Sequence, residues 1–424
     1  MTKTQTQNYT GPFITMVFLF FIIGFLTVVN QQFQSPLQHT LLEKAGALKN
    51  TLATMITFSW FLAYPLTGGI GAKWVSKFGY KGTLSRALLV MIAGLGVFEI
   101  SVLLADYAPN AGIAIQGIEV PFAYFIFLVG SYVVGSAVTI MQVVVNPYLI
   151  ACNVKGTSDI QRQNIGGSAN SIGTTIAPYF VAGIIFGNVA SEDIHIGQLI
   201  WPFIGLMATI AIITFIIGKL SLPNIEGTTN EANEKLERSI WSFRHLALGV
   251  IALFFYVGVE VSVGANVKMY ADTLPLFKDS AAIMVTLYWG LMLVGRLVGA
   301  SLNMISARTQ LLVTTALATL LILLSMIIHN PWLLVIVGLF HSVMWSAIFT
   351  LAIAKLGKYT SKGSGALMIG VLGGGIMPLL QGVIADAMGG DWTWTWWLVL
   401  VGEIFMLYYA LVGYKPREKD IIAK

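Results

Sequence analysis

The sequence predicts an all-α membrane protein of twelve transmembrane helices arranged as two six-helix pseudo-repeats, and three observations carry that prediction. The 424 residues are 56% hydrophobic and 10% charged, with a mean hydropathy of +0.79, more apolar surface than a soluble core can hide. Apolar stretches long enough to cross the hydrocarbon, roughly 20 residues at 1.5 Å each, recur along the whole chain. The run Gly173-Thr-Thr-Ile-Ala-Pro178 also returns as Gly373-Gly-Gly-Ile-Met-Pro378, so the chain looks doubled.

The first six spans are read at Phe13 to Val29, Leu52 to Gly71, Leu84 to Leu104, Phe122 to Ala151, Gly166 to Phe186 and Leu199 to Leu220. The second six follow at Leu246 to Val267, Ala281 to Leu302, Leu311 to Ile328, Trp332 to Ile353, Ser364 to Ala387 and Trp392 to Val412. Two further correspondences support the doubling: Phe20-Phe-x-x-Gly24 recurs as Phe254-Phe-x-x-Gly258, and Gly71-Ala72 ahead of Leu84 recurs as Gly299-Ala300 ahead of Leu312. Span one has no small-residue cleavage site after its apolar run and continues into Gln31, Gln32 and Gln34, which reads as a retained helix and not a signal peptide. The polar stretch Pro223 to Arg244 reads as a linker, partly helical around Glu231 to Arg238. The expected organisation is therefore a first bundle over 1–222, a linker over 223–244 and a second bundle over 245–424.

Most of the Lys and Arg residues, including Lys73, Lys77, Lys81, Arg86, Lys155, Lys219, Arg238, Arg244, Arg308 and Lys415, fall on one side of this plan, whereas Lys44, Lys49, Lys268 and Lys278 fall opposite. The positive-inside rule then places both termini and the central loop in the cytoplasm. The net charge of +5 follows from this asymmetry and requires no nucleic acid. The single cysteine, Cys152, excludes an intramolecular disulfide and a cysteine-based metal cluster.

The five histidines are scattered and neither a phosphate-cradling Gly-rich loop nor a nucleophile elbow occurs, so the reading is neither an enzyme nor an ATP-driven pump, and no cofactor is expected. A doubled membrane chain instead suggests a transporter. The chemistry then lies in polar groups inside the spans, where each ionisable side chain costs a few kcal/mol and tends to face a cavity. Glu260 leads, in span seven between Gly258 and Gly264; an ionised carboxylate there holds Na⁺ or a sugar hydroxyl and a protonated one donates a hydrogen bond. Its bland alternative is a structural ion pair. Gln142 and Asn146, four apart on span four, and Asn170 on span five offer amides that donate and accept, as paired sugar hydroxyls require, or that simply join helices. Asn30, Gln31 and Gln381 carry the same two readings. Trp60, Trp289, His341 and Trp345 are ring platforms for a pyranose or, for any one of them, packing. Glu99 and Glu403 read as structural, Arg296 as either a gate or interdomain ion pair or a snorkelling side chain, and the run Trp392 to Trp397 as an interfacial aromatic belt.

The segment Gly69-Ile-Gly71-Ala-Lys73-Trp-Val-Ser-Lys77-Phe-Gly79-Tyr80-Lys81 resembles the loop signature of the major facilitator superfamily, although the acidic residue usual there is replaced near Lys73 or Ser76. More specific are Gln142-Val-Val-Val-Asn146-Pro147-Tyr148, Asn170-Ser171-Ile-Gly173, Phe255-Tyr256-Val-Gly258-Val-Glu260, Tyr288-Trp289-Gly290 with Gly295-Arg296, and Gln381-Gly382. Together, over about Phe18 to Tyr414, they are similar to the fucose/galactose/glucose cation symporter family, on its glucose/galactose side. The resemblance implies alternating access to a central site, hexose import (glucose, galactose or mannose-like) coupled to Na⁺ or H⁺, and a sugar path lined by Asn146, Asn170, Glu260 and Gln381. Two departures stand out: Asn30-Gln31 replaces the usual Asn-Asp at the end of span one, and Gln142 stands where fucose permeases carry Glu. Neither amide titrates, which leaves Glu260 as the principal ionisable group, with Gln31 at the second coupling position. The expected partners are a small sugar and the lipid bilayer, the chain acting as a monomer. The rivals are efflux of amphipathic drugs or sugars on the same fold, an uncoupled sugar uniporter, and a sugar sensor, for which the short tails offer no signalling appendage.

Overall fold

The computed structural model describes residues 9–115, 117–152, 154–155, 159–189, 193–220, 222, 238–301, 305–356 and 359–418. The reading of a partly helical linker around Glu231 to Arg238 falls almost wholly outside them. The helices are α1 Thr10–Gln32, α2 Gln34–Thr40, α3 Lys49–Tyr107, α4 Phe122–Ala151, α5 Asp159–Tyr179, α6 Ile200–Lys219 and α7 Arg244–Asp272. They continue as α8 Ala281–Ser301, α9 Ala307–Ile328, α10 Trp332–His341, α11 Met344–Ala352, α12 Thr360–Leu367, α13 Gly373–Ala387 and α14 Trp396–Tyr408.

Every stretch read as a span is helical over most of its described residues, span ten being broken between α10 and α11. Among the described residues nine helices are long and apolar enough to cross a membrane, or ten if the pair α10 and α11, bent by 41°, counts as one broken span. Spans two and five are the ones outside that count. Span two is the first half of α3, which turns back at Gly79 (φ 68°) into span three; this left-handed conformation suits a residue without a Cβ. Span five is α5, whose polar residues from Gln161 to Thr175 lower its hydropathy, extended past Pro178 by a π-helical turn over Phe180–Ile185. One element was not foreseen: a β-hairpin, β1 Gly112–Ile115 and β2 Ile118–Pro121, between spans three and four. It turns at Gly117 (φ 83°) and is tied to the connection between α2 and α3 by Lys44, whose Nζ lies 3.1 Å from Glu119.

The doubling seen in the sequence is a doubling of helix crossings. A Cβ on Gly173 of α5 would lie 2.4 Å from the Phe21 carbonyl of α1, and one on Gly373 of α13 would lie 1.9 Å from the Phe254 carbonyl of α7. Likewise Gly71 meets Val143 of α4, and Gly299 meets Val343 beside α11. The repeated glycines are thus the points where the first and fifth, or second and fourth, helices of each half pack closely, backbone against backbone in the first case and against a valine side chain in the second.

The end where α7 and α9 begin is the inner face on the Lys and Arg bias of the sequence, with the opposite end the outer face; at the inner one Arg417 donates to the Ser242 carbonyl and Arg308 to the Ala410 carbonyl. On the outer face the bundles meet. Gln32 donates to the Gly264 carbonyl (3.4 Å) and Lys268 to Ser35 (2.7 Å). The Asp386 carboxylate of α13 accepts from the backbone N–H groups of Asn50 and Thr51, at 3.0 and 2.6 Å, and from the Asn50 amide at 2.9 Å. Closer to the inner face α3 and α13 present exposed side chains, Leu66 and Ile70 on one and Ile369 just ahead of the other.

Candidate functional site

Glu260 sits on α7 within a stretch whose small residues admit close neighbours: Gly258 is packed under Met377 and Gly264 under the Trp289 indole. Its Oε1 lies 3.8 Å from Arg296 Nη2, with 13% of the Glu260 side chain and 27% of the Arg296 side chain exposed. Arg296 reaches across from α8 to α5, donating to the Gly167 carbonyl (3.4 Å) and to the Ser171 hydroxyl. It is therefore an ion pair and an interbundle contact, and the snorkelling reading is set aside. Tyr256, one turn before Glu260, stands beside both partners.

Asn170, adjacent to Ser171, donates to the Phe20 carbonyl of α1 (3.1 Å). Gln142 donates to the Tyr64 hydroxyl (2.8 Å) and Asn146 to the Gln142 carbonyl (3.0 Å). All three amides are half-buried. Tyr64 was not picked out from the sequence; its place on span two, one helical turn from Trp60, was the available signal.

Asn30, Gln31, Gln381 and Trp289 are buried. Asn30 joins spans one, two and four, accepting from Ser131 (2.9 Å) and donating to the Ile56 carbonyl (3.5 Å). Gln381 accepts from Asn266 of α7 (2.9 Å) and donates to Thr395 (3.1 Å). Gln31 differs from both: its amide N and O are buried and have no hydrogen-bond partner, as is also true of the Trp289 indole N–H and of Asn266 Oδ1. Such orphaned groups are costly unless something else satisfies them.

His341 is not open to a ligand. It is fully buried, with Nε2 2.7 Å from Glu403 Oε1 and Nδ1 2.8 Å from the Tyr288 hydroxyl. Trp60 is buried, while Trp345 packs edge-on against Tyr256. The Trp392 to Trp397 run is mixed, with Trp392 and Trp396 buried and Trp394 and Trp397 exposed. Among the described residues no group of three or more His, Cys, Asp or Glu side chains is placed to hold a metal ion.

Two bundles of membrane-spanning helices, joined at the outer face around a carboxylate and amides, define a multi-pass membrane transporter of the major facilitator superfamily. The fold superposes on the inward-open xylose transporter of Escherichia coli with a TM-score of 0.71 (12% identity, covering 97% of this chain and 98% of that one). It matches the E. coli fucose:proton symporter in its outward conformation with a TM-score of 0.65 (20% identity, 96% and 99%). No protein-family profile matches the chain. Among whole-length relatives, a glucose/galactose transporter of Brucella abortus is 30% identical over 98% of this chain and 97% of its own. The L-fucose-proton symporter of E. coli is 24% identical over 91% and 89%. The chain belongs to the fucose/galactose/glucose cation symporter family.

Proposed function

We propose that the protein imports a hexose of the glucose, galactose or mannose kind across the bacterial inner membrane by symport with a cation, H⁺ or Na⁺. Residues 1–222 and 245–424 rock about the central site, and the termini and the 223–244 linker lie in the cytoplasm, where the Lys and Arg bias puts them. The substrate is a small sugar, no cofactor takes part, and the chain works as a monomer in the bilayer. The observation that carries the reading is the pairing of Glu260 with Arg296 where α5, α7 and α8 meet, in a chain whose relatives bear the names of sugar carriers.

On this reading Gln142, Asn146 and Asn170 supply donors and acceptors to the sugar hydroxyls from the first bundle. Asn30 and Gln381, bonded within the protein here, hold the helices around the path and join the sugar when the outer side opens. The orphaned polar atoms of Gln31 and Trp289 acquire partners from substrate. The cation is held at or near Glu260, with Gln31 at the second coupling position. Binding of both partners favours the closed outer face and the swing inward.

The test is uptake of labelled glucose, galactose, mannose, fucose and N-acetylglucosamine into proteoliposomes, with Na⁺ and H⁺ gradients imposed side by side. Accumulation of one hexose under one gradient is expected. Entry that only equilibrates supports a uniporter, and expulsion of substrate from loaded vesicles supports efflux.

A further inference from the structure

A polar chain runs through the second bundle away from the amides. The Tyr288 hydroxyl lies 3.0 Å from the backbone carbonyl of Glu260 and 2.8 Å from His341 Nδ1, and His341 Nε2 lies 2.7 Å from Glu403 Oε1. It joins α7, α8, α10 and α14, and His341 ends α10 at the bend before α11. We propose that His341 and Glu403 form the proton-binding site of the carrier and that Tyr288 reports its occupancy to the Glu260 segment of α7. The proposal rests on the reading of the chain as a hexose symporter, names its coupling ion as H⁺ and moves the proton from Glu260 itself to the pair beside it, Glu260 being the group through which the charge of the pair reaches the sugar path.

The argument is one of donors and acceptors. A backbone carbonyl has no proton to give, so the single hydroxyl proton of Tyr288 goes to the Glu260 carbonyl. Toward His341 the Tyr288 oxygen then accepts, and Nδ1 must carry a proton. At 2.7 Å, Nε2 and Glu403 Oε1 need one further proton between them, whether written as imidazolium beside carboxylate or imidazole beside carboxylic acid. Either way the pair is net neutral and holds one proton more than a neutral histidine beside a carboxylate.

Loss of that proton to water on the side then open leaves one ring proton for two sites. If it stays on Nδ1, a lone pair faces a carboxylate oxygen at 2.7 Å. If it sits on Nε2, Nδ1 becomes an acceptor and draws the Tyr288 hydroxyl proton away from the Glu260 carbonyl. The Tyr288 O–H bond itself never breaks. Deprotonation thus releases α7 at Glu260, one turn from Gly264, whose carbonyl takes the interbundle bond from Gln32 and whose face carries the Trp289 ring. The pair now bears a buried negative charge, and an uncompensated buried charge is costly.

The titratable and charged groups around the pair are Tyr256 and Glu260 of α7 and Tyr288 and Arg296 of α8. Among the described residues the other packed elements bring none to it. α11 has no titratable side chain, Arg308 of α9 lies at the inner end on the Ala410 carbonyl, and Asp386 of α13 is bound at Asn50. Tyr409, just past α14, donates to the His245 carbonyl, and Tyr408 accepts from Arg244.

The experiment compares the wild type with Glu403→Gln in proteoliposomes. The glutamine amide donates to Nε2 and so keeps the protonated pattern without a proton to lose. Counterflow of labelled hexose, which needs no net proton movement, should stay within about twofold of wild type, while accumulation driven by a proton gradient falls to simple equilibration. Tyr288→Phe, which keeps the pair and cuts its connection, should lose accumulation as well. Glu403→Gln that accumulates sugar like the wild type overturns the proposal. If Glu403→Gln does not fold, the wild type decides: net hexose entry into unloaded vesicles must carry protons detectable with a trapped pH dye, and net entry without protons, in a preparation whose counterflow works, overturns the proposal. Absence of counterflow in the wild type has a different meaning, since it overturns the transport reading and the coupling site with it.

Discussion

At the scale of the residue, Glu260 and Arg296 divide the work of an intramembrane charge. The carboxylate is costly alone, and Arg296 offsets that cost while also bonding to Ser171 and the Gly167 carbonyl. Glu260→Gln should therefore fold, since Arg296 keeps its α5 partners, and should exchange hexose but fail to concentrate it. Full concentrative uptake by that variant would remove Glu260 from coupling. Arg296→Gln leaves the carboxylate bare and should be less stable than the double variant carrying both changes. The difference should be about 1–2 kcal/mol, below the ~3–5 kcal/mol of a fully buried pair because Arg296 keeps 27% of its side-chain exposure. Thermal unfolding in detergent of the two singles and the double measures it. Cys152 behaves in the opposite way: just beyond the end of α4 it is buried, and burial pushes its thiol up to about 11. The thiolate is the reactive form, so Cys152 should resist maleimide at pH 7. Labelling comparable to that of an exposed cysteine would show that the inner end of α4 opens.

At the scale of the element, Asp386 acts as a helix cap supplied by the other bundle. The first N–H groups of a helix have no partner of their own, and those of Asn50 and Thr51 at the start of α3 find the Asp386 carboxylate at the end of α13. Loss of such a cap costs about 1 kcal/mol, and only in the outer-closed state, so Asp386→Ala should shift the equilibrium roughly fivefold toward outer opening. Reactivity of a cysteine at buried Ser262 toward a membrane-impermeant maleimide reads the shift, and unchanged reactivity would make Asp386 a bystander. This contact also marks where sequence reading stops. Hydropathy revealed the spans because lipid imposes the same demand on each of them, and Glu260 was legible because a lone acid inside a span is rare and costly. The repeated glycines were legible because both halves cross their helices at the same points. Asp386 was not, because it lies 336 residues from Asn50 and no local pattern records the pairing. The contact of Glu403 with His341 was not legible either, because the two lie on different spans, 62 residues apart.

At the scale of the whole molecule, glycines of similar appearance belong to two kinds of contact. Gly338 lies within one bundle, where a Cβ would meet the Tyr288 carbonyl at 2.4 Å, and Gly295 lies likewise beneath Ser342 at 2.2 Å. Gly382 lies between bundles, and a Cβ there would meet Thr54 Oγ1 at 2.2 Å and the Asn50 carbonyl at 2.7 Å. Within a bundle an added side chain has nowhere to go without prising apart helices that stay packed in every state, and overpacking of that kind destabilises by typically 1–3 kcal/mol. Between bundles the proposed rocking motion relieves the same strain, because outer opening on that reading separates α3 from α13. Gly338→Val should therefore lower the unfolding temperature of the purified carrier, whereas Gly382→Val should leave it near wild type. The Gly382 variant should instead slow turnover and raise labelling of a cysteine at position 262 from outside, with hexose binding from the outer side retained. If Gly382→Val unfolds the protein as readily as Gly338→Val, the outer contact is a permanent part of the fold and not a gate, and the closed outer face would have to open somewhere other than between α3 and α13.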